Sequence, residues 1–355
     1  MTNQALEKAA EHDSQGEHDE AINVLSRAVM DGDRLAKTVL GKRLFVGDRS
    51  PYLPREGAQF ILEAAQEGVA DAVSVVAVFQ ATGIFQQKSW PDALNTLCHA
   101  ATLGSEIARE QLILLAEKGE PARESGLLSN NEGAHWQDVK NSIPLGSWID
   151  DISGETLNES PEVKIFRNLL PPPICRWLIR LSKERLKPAL VYDAANRRNY
   201  VSETRTNSIA EFNLMENEFL HFLIQQKMSA ASGIPMQQME GTAILNYQPG
   251  EEISPHFDFV DPKMDNYDHE IATNGQRIMT FLIYLNEEYE GGETVFTELD
   301  LCFKGNTGDG MYFINSLPDG SADTRTRHSG TPPTSGEKWI VSQFIRNREV
   351  KYILD

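Results

Sequence analysis

The sequence predicts a multidomain α + β chain. An N-terminal α-helical repeat solenoid spans residues 1–120, a linker spans 121–162, and a double-stranded β-helix (jelly-roll) domain with buttressing helices spans 163–355. Three observations carry this. Residues 1–120 repeat with a period of 36. After Gly275 the chain breaks into short alternating segments separated by glycine turns. His256 and Asp258, two apart in one extended segment, and His328 in another place metal-type side chains on the inner faces of those strands.

The repeat is legible in five in-phase position sets: Gly32, Gly68 and Gly104; Gly47, Gly83 and Gly119; Ala36, Ala72 and Ala108; Ala28, Ala64 and Ala100; Leu25, Ile61 and Leu97. Small residues let helices approach, and glycine just past a helix end takes the left-handed conformation that stops it. Six or so stacked helices are expected. Residues 121–162 are rich in polar residues, Gly and Pro, without a period, and Trp136 and Trp148 would pin them to a neighbouring surface.

From Val163 the pattern changes. Val163–Phe166 alternates as a strand, and Pro171–Pro173 opens a helix. Glu216–Ala231 is a second helix, with Phe219, Phe222, Leu223 and Met228 as its buried stripe. Residues 192–207 and 260–275 are long polar loops, the first a candidate lid. Strands are expected over Arg277–Asn286, Gly310–Asn315 and Lys338–Arg346.

Composition narrows the function class. Lys and Arg total 33 against 52 Asp and Glu, a net charge of −19, which repels phosphate backbones and argues against nucleic acid as a partner. The start carries neither a basic segment nor an apolar run, and no stretch of 18 apolar residues exists, so neither a signal peptide nor a membrane span is expected. Three scattered cysteines (Cys98, Cys175 and Cys302) read as reduced thiols and point to a cytoplasmic protein.

Two histidines and one carboxylate on one face of a metal leave the other face open, which suits non-haem Fe(II) that must also bind a cosubstrate and O2. Ten residues after His328, Lys338 opens an alternating strand. A cation buried there needs an anion, either a protein Glu or a cosubstrate carboxylate, unless it is exposed at the strand start. His269 lacks the strand context of the other two histidines.

These residues carry a resemblance. Leu245–Gly250, His256-Phe257-Asp258, Gly275–Arg277 with Thr280–Asn286, Glu290–Phe296, Gly308–Gly310, and His328 through Lys338-Trp339 resemble, in order and spacing, the catalytic domain of the prolyl 4-hydroxylase family of 2-oxoglutarate and Fe(II)-dependent dioxygenases. The segment Ala64–Gly68 with Asp71-Ala72 resembles the SEL-like repeats, relatives of the tetratricopeptide array. The first resemblance implies Fe(II) on His256, Asp258 and His328, with 2-oxoglutarate, O2 and ascorbate as cosubstrates and reductant. It implies Lys338 on the distal 2-oxoglutarate carboxylate, with Tyr247 and Thr280 lining the cosubstrate pocket. On the substrate side it implies Arg277 and an arginine of the 192–207 segment, Arg205. Ile253 and Phe344 stand where the family usually has tyrosine and tryptophan, so substrate recognition is expected to differ.

The resulting expectation is a hydroxylase of an unactivated C–H on a prolyl or prolyl-like residue. A free amino acid such as proline or pipecolate, gripped bidentately at its carboxylate by Arg277, is the alternative. A further alternative is a repeat-based protein-binding module whose oxygenase half is structural. The repeats would present a partner groove, pack as a scaffold, or self-associate.

Overall fold

The computed structural model describes residues 4–116, 134–150, 152–193, 198–264 and 266–350. The chain forms two compact units, one of Met1–Trp148 with Asn213–Ile224, the other of Ile149–Phe212 with Gln225–Tyr352.

The first unit is helical. It opens with α1 (Gln4–Ser14), α2 (His18–Met30), α3 (Arg34–Val46), α4 (Pro54–Gln66), α5 (Ala70–Thr82), α6 (Trp90–Thr102) and α7 (Glu106–Ala116). Helices α2, α4 and α6 start 36 residues apart, as do α3, α5 and α7, so the sequence period is one helix pair. Ala36, Ala72 and Ala108 are fully buried, and so are Leu25, Ile61 and Leu97. Burying one such Leu or Ile contributes roughly 1.5–3 kcal/mol. Gly32, Gly68 and Gly104 end α2, α4 and α6 with φ of +87°, +81° and +103°, a region L-residues avoid. Gly119, the last of its expected set, lies outside the described residues. Helices α3 and α4 touch through backbone: a Cβ on Gly57 would stand 2.6 Å from Gly41 O and from Phe45 N.

The array does not stop near residue 120. Helix α8 (Ala134–Ser142) continues it, with Trp136 buried under the Arg109 guanidinium (5.4 Å) and Lys140 Nζ donating to Asn95 Oδ1 (2.8 Å). A short helix Gly146–Ile149 and a strand Glu155–Glu159 follow. The expected linker 121–162 is therefore folded in much of its described part. Elements of four to nine residues are too short to reveal a period. Within this unit the chain's own segment 213–224 covers the repeat surface at α6 and α7. Gln111 accepts from Leu220 N (2.9 Å) and donates to Glu218 Oε2 (3.3 Å), and Phe219 packs edge-on to Trp90. Among the described residues no helix is long and apolar enough to cross a membrane. All three cysteines are free.

The second unit is built on two main sheets, with two small two-stranded ones beside them. The larger has the strand order Glu155–Glu159, Glu162–Phe166, Gly310–Ile314, Arg277–Tyr284, Lys338–Arg346, Ala243–Tyr247, Ser208–Glu211 and Lys187–Pro188, all antiparallel. The smaller runs Leu301–Phe303, Thr294–Phe296, His328–Gly330 and Ile253–His256. The two inner faces make the jelly-roll core: Val163, Ile165, Leu282, Tyr284, Met311 and Phe313 from one sheet meet Phe296 and Phe303 from the other. The sheet begins at Glu155, so the expected boundary at Val163 falls inside its first hairpin.

Both expected polar loops carry structure. Residues 260–275 include a helix, Tyr267–Asn274, which contains His269 and buries none of its residues. In the candidate lid, Leu190–Asp193 pairs with Arg198–Val201, and residues 194–197 lie outside the described residues. Its far end is pinned to the edge of the His256 strand, with Ser254 N donating to Thr204 O (2.9 Å) and Thr206 N to Glu252 O (3.0 Å).

Candidate metal and cosubstrate site

Cross-strand pairing and a bend place the metal-type residues. His328 and His256 are direct cross-strand partners in the smaller sheet, and Asp258 follows two residues later in a bend just past the strand's end, rather than on an extended strand as expected. Their ligand atoms all lie within 4.8 Å of one another. His256 Nε2 stands 3.2 Å from Asp258 Oδ1, and His328 Nε2 stands 3.4 Å from Asp258 Oδ2. Each Nδ1 faces a backbone carbonyl, Ser254 O at 3.0 Å for His256 and Thr326 O at 2.9 Å for His328. A carbonyl only accepts, so both Nδ1 atoms carry a proton and both Nε2 atoms face inward, where a metal would replace the second proton of a charged imidazole. This donor set fits a divalent iron.

Burial alone would raise the Asp258 pKa. The His328 charge and hydrogen bonds from His256 and Thr280 outweigh it and hold the carboxyl well below the usual range. Burial pushes His328 down, whereas at His256 the bond to Asp258 overcomes burial and raises it.

One cavity of about 320 Å³ is lined by His256, Asp258, His328, Lys338, Tyr247, Arg205, Ile253, Arg277 and Phe344. Alternation explains the wall. Lys338, Ile340, Ser342 and Phe344 share one face of their strand, and Lys338 lies opposite Tyr247 in the ladder. Lys338 is 2% exposed. Its Nζ donates to Gly292 O (2.8 Å) and lies 5.2 Å and 5.6 Å from the Tyr247 and Tyr284 rings. It makes no ion pair with a carboxylate among the described residues. Burial pushes its pKa down to about 8. Glu293 acts on it only from a distance, and a buried ammonium with no carboxylate in contact suits a cosubstrate carboxylate.

Two expectations are corrected here. Thr280 does not line the cavity. It is buried behind Asp258, donating to Oδ2 (2.7 Å) and accepting from Asn315 Nδ2 (3.0 Å). Its inner-face parity is right, but Asp258 stands between it and the space. Thr280→Val keeps the shape and removes the donor, so metal affinity should fall roughly 10–100-fold. A Co(II) titration checks this, and unchanged affinity would deny Thr280 that role.

Arg277 lines the cavity, but its bidentate fork is taken. Nε and Nη2 donate to Glu240 Oε1 (2.7 Å) and Oε2 (2.9 Å), and the guanidinium lies 3.8 Å from the Phe344 ring centroid. Burial would raise the Glu240 carboxyl, but Arg277 and Arg346 outweigh it and hold the pKa low. Glu240 also lines the cavity and was not anticipated. It lies between the short 3₁₀ turn Met236–Gln238 and the next strand, where no period marks it. Arg205 lines the same space, with Nε donating to Asn207 Oδ1 (3.3 Å) and no ion pair among the described side chains.

The profile of the 2OG-Fe(II) oxygenase superfamily matches residues 242–346. Prolyl 4-hydroxylase 5 of Arabidopsis thaliana is 30% identical over 223 residues, covering 58% of this chain and 73% of that protein. The chain belongs to the prolyl 4-hydroxylase family. Among solved structures, a viral collagen prolyl hydroxylase from Paramecium Bursaria Chlorella virus-1 aligns at a TM-score of 0.40 and 24% identity, over 52% of this chain and 94% of its own. A Sel1 repeat protein from Oxalobacter formigenes aligns at a TM-score of 0.30 and 18% identity, over 39% of this chain and 56% of its own. As a 2-oxoglutarate-dependent dioxygenase of this family, the enzyme uses Fe(II), 2-oxoglutarate and O2, with ascorbate the typical reductant of prolyl 4-hydroxylases.

Proposed function

We propose that this dioxygenase hydroxylates an unactivated C–H of a prolyl or prolyl-like residue within a polypeptide. 2-Oxoglutarate, O2 and the C–H substrate would yield succinate, CO2 and the alcohol, one oxygen atom going to each of succinate and product. Bound iron supplies the oxidising chemistry. The chain's own residues supply the rest. His256, Asp258 and His328 hold the metal on one face, with both Nδ1 protons fixed by backbone. Lys338 receives the distal cosubstrate carboxylate, with Tyr247 beside it as a hydrogen-bonding hydroxyl. Ile253 and Phe344 give the substrate an apolar wall, and Arg205 offers a charge at the rim.

The Arg277–Glu240 pair carries the choice of a polypeptide over a free amino acid. A free carboxylate would find the Arg277 fork filled and would face the Glu240 carboxylate, a like charge. Both side chains line the cavity, and Arg277 Nη1 has no protein partner among the described residues, which leaves the pair a donor and carboxylate lone pairs to offer. A donor beside an acceptor complements the C=O and N–H of a peptide chain.

Capped proline-containing decapeptides should therefore stimulate succinate release above the uncoupled rate, and free L-proline and pipecolate should not. Stimulation by free amino acids alone would overturn the peptide reading and leave the oxygenase reading intact.

A further inference from the structure

We infer that Arg346 is a positioning residue for the substrate end of the cavity and that Glu270, on the helix Tyr267–Asn274, is its outer support. This rests on the peptide reading above. Arg346 lies two residues beyond the lining residue Phe344, at an irregularity in the ladder, reaches the same Glu240 oxygen that Arg277 holds, and is 6% exposed. A guanidinium so buried must fill its donors. Its Nε donates to Glu240 Oε1 (2.6 Å), its Nη1 to Gly275 O, and its Nη2 to Glu270 Oε1 (2.9 Å).

The result is a chain of alternating charge, Arg277–Glu240–Arg346–Glu270, with two cations, two anions and no net charge. Glu240 Oε1 is held from both sides, by Arg277 Nε at 2.7 Å and Arg346 Nε at 2.6 Å. That double hold fixes how the Arg277–Glu240 pair faces the cavity. With Arg346 gone, Glu240 is held from one side only, and the pair can tilt off the Phe344 ring. The helix Tyr267–Asn274 buries no residue of its own, so polar ties matter to its seating. Two come from Arg346, to Glu270 and Gly275, and a third from Arg348 Nη1 to Ala272 O (2.8 Å). One guanidinium therefore sets both the helix and the substrate-facing pair.

The test uses the full-length enzyme with Arg346→Met and Glu270→Gln. The probe is a capped proline-containing decapeptide. Losing a charge-assisted contact should raise the peptide KM roughly tenfold in Arg346→Met, with kcat and the half-saturating 2-oxoglutarate concentration little changed. Arg346→Lys, which keeps a charge but not the fork, should restore part of the loss. Glu270→Gln should act in the same direction, less strongly, and serves as the test if Arg346→Met does not fold. Crystal structures of wild type and Arg346→Met should show Arg277 displaced from the Phe344 face. That comparison needs no substrate, so it still decides the matter if the wild type accepts no peptide, a result that would overturn the peptide reading alone. An unchanged peptide KM in both variants, or Arg277 still stacked on Phe344, would overturn the proposal.

Discussion

His328→Ala is expected to abolish 2-oxoglutarate turnover and iron binding while the helical unit keeps its far-ultraviolet circular dichroism. The residue supplies one of two inward Nε2 lone pairs, and His256 and Asp258 alone leave a site with two protein ligands. Packing is the competing explanation. The imidazole lies 4.7 Å from the Phe313 ring and 5.6 Å from Phe296, so its removal opens a cavity costing roughly 2–5 kcal/mol, by analogy with apolar truncations. His328→Gln nearly fills that space and should be equally inactive, which separates lost ligation from lost stability. The anaerobic visible band of the Fe(II)–2-oxoglutarate chelate should be absent from both variants. Wild-type turnover in either would remove His328 from the metal set.

Lys338→Ala should raise the 2-oxoglutarate requirement roughly 10–100-fold, the worth of a buried charge-assisted contact of about 1.5–3 kcal/mol. The wild type should also show a pH signature. Burial holds the apo ammonium near a pKa of about 8, below the usual lysine value. Bound carboxylate favours the charged form, so affinity should be flat below pH 8 and weaken above it, by up to about tenfold per pH unit. Fold stability runs the other way. Between pH 8 and 10.5 the unfolded chain binds more protons at this lysine than the folded one, so its burial penalty is relieved as pH rises through that window. Titrating 2-oxoglutarate into the iron-loaded enzyme from pH 7 to 9.5 checks the first effect. A pH-independent affinity, or one that Lys338→Ala does not flatten, would mean that another group holds the distal carboxylate.

The parts legible in the sequence are those written by a period. Thirty-six-residue spacing fixed the helix pairs, and alternation put Lys338 and Phe344 on one inner face; Asp258 reaches the same point as His256 from a bend past the strand's end. Thr280 shows where alternation stops informing: it marks the inner face, but not whether open space or another side chain lies over it. Arg277 shows a second limit. Its partner Glu240 lies 37 residues upstream outside any regular element, and only folding reveals that the guanidinium is already engaged. Arg346 shows a third limit: the ladder is irregular just before it, and its partners Glu240 and Glu270 lie far off in sequence. The linker failed for a simpler reason, since nine helical residues make too few turns to display a stripe.

The ladder between His328 and His256 has a consequence for making the protein as well as running it. The two strands are three and four residues long, with an irregularity between His328 and Gly330. So short a ladder does not fix its own register; the Thr294–Phe296 strand on one side and the Thr204 and Thr206 contacts on the other help to hold it. A slip would turn one imidazole to the opposite face of the sheet. Such a molecule could be folded almost everywhere and still be unable to take up metal. Iron binding would then act as proofreading, drawing the population toward the single register in which both histidines face inward. Any such fraction in protein produced without iron would be rescued by later iron only at the rate at which this ladder re-pairs.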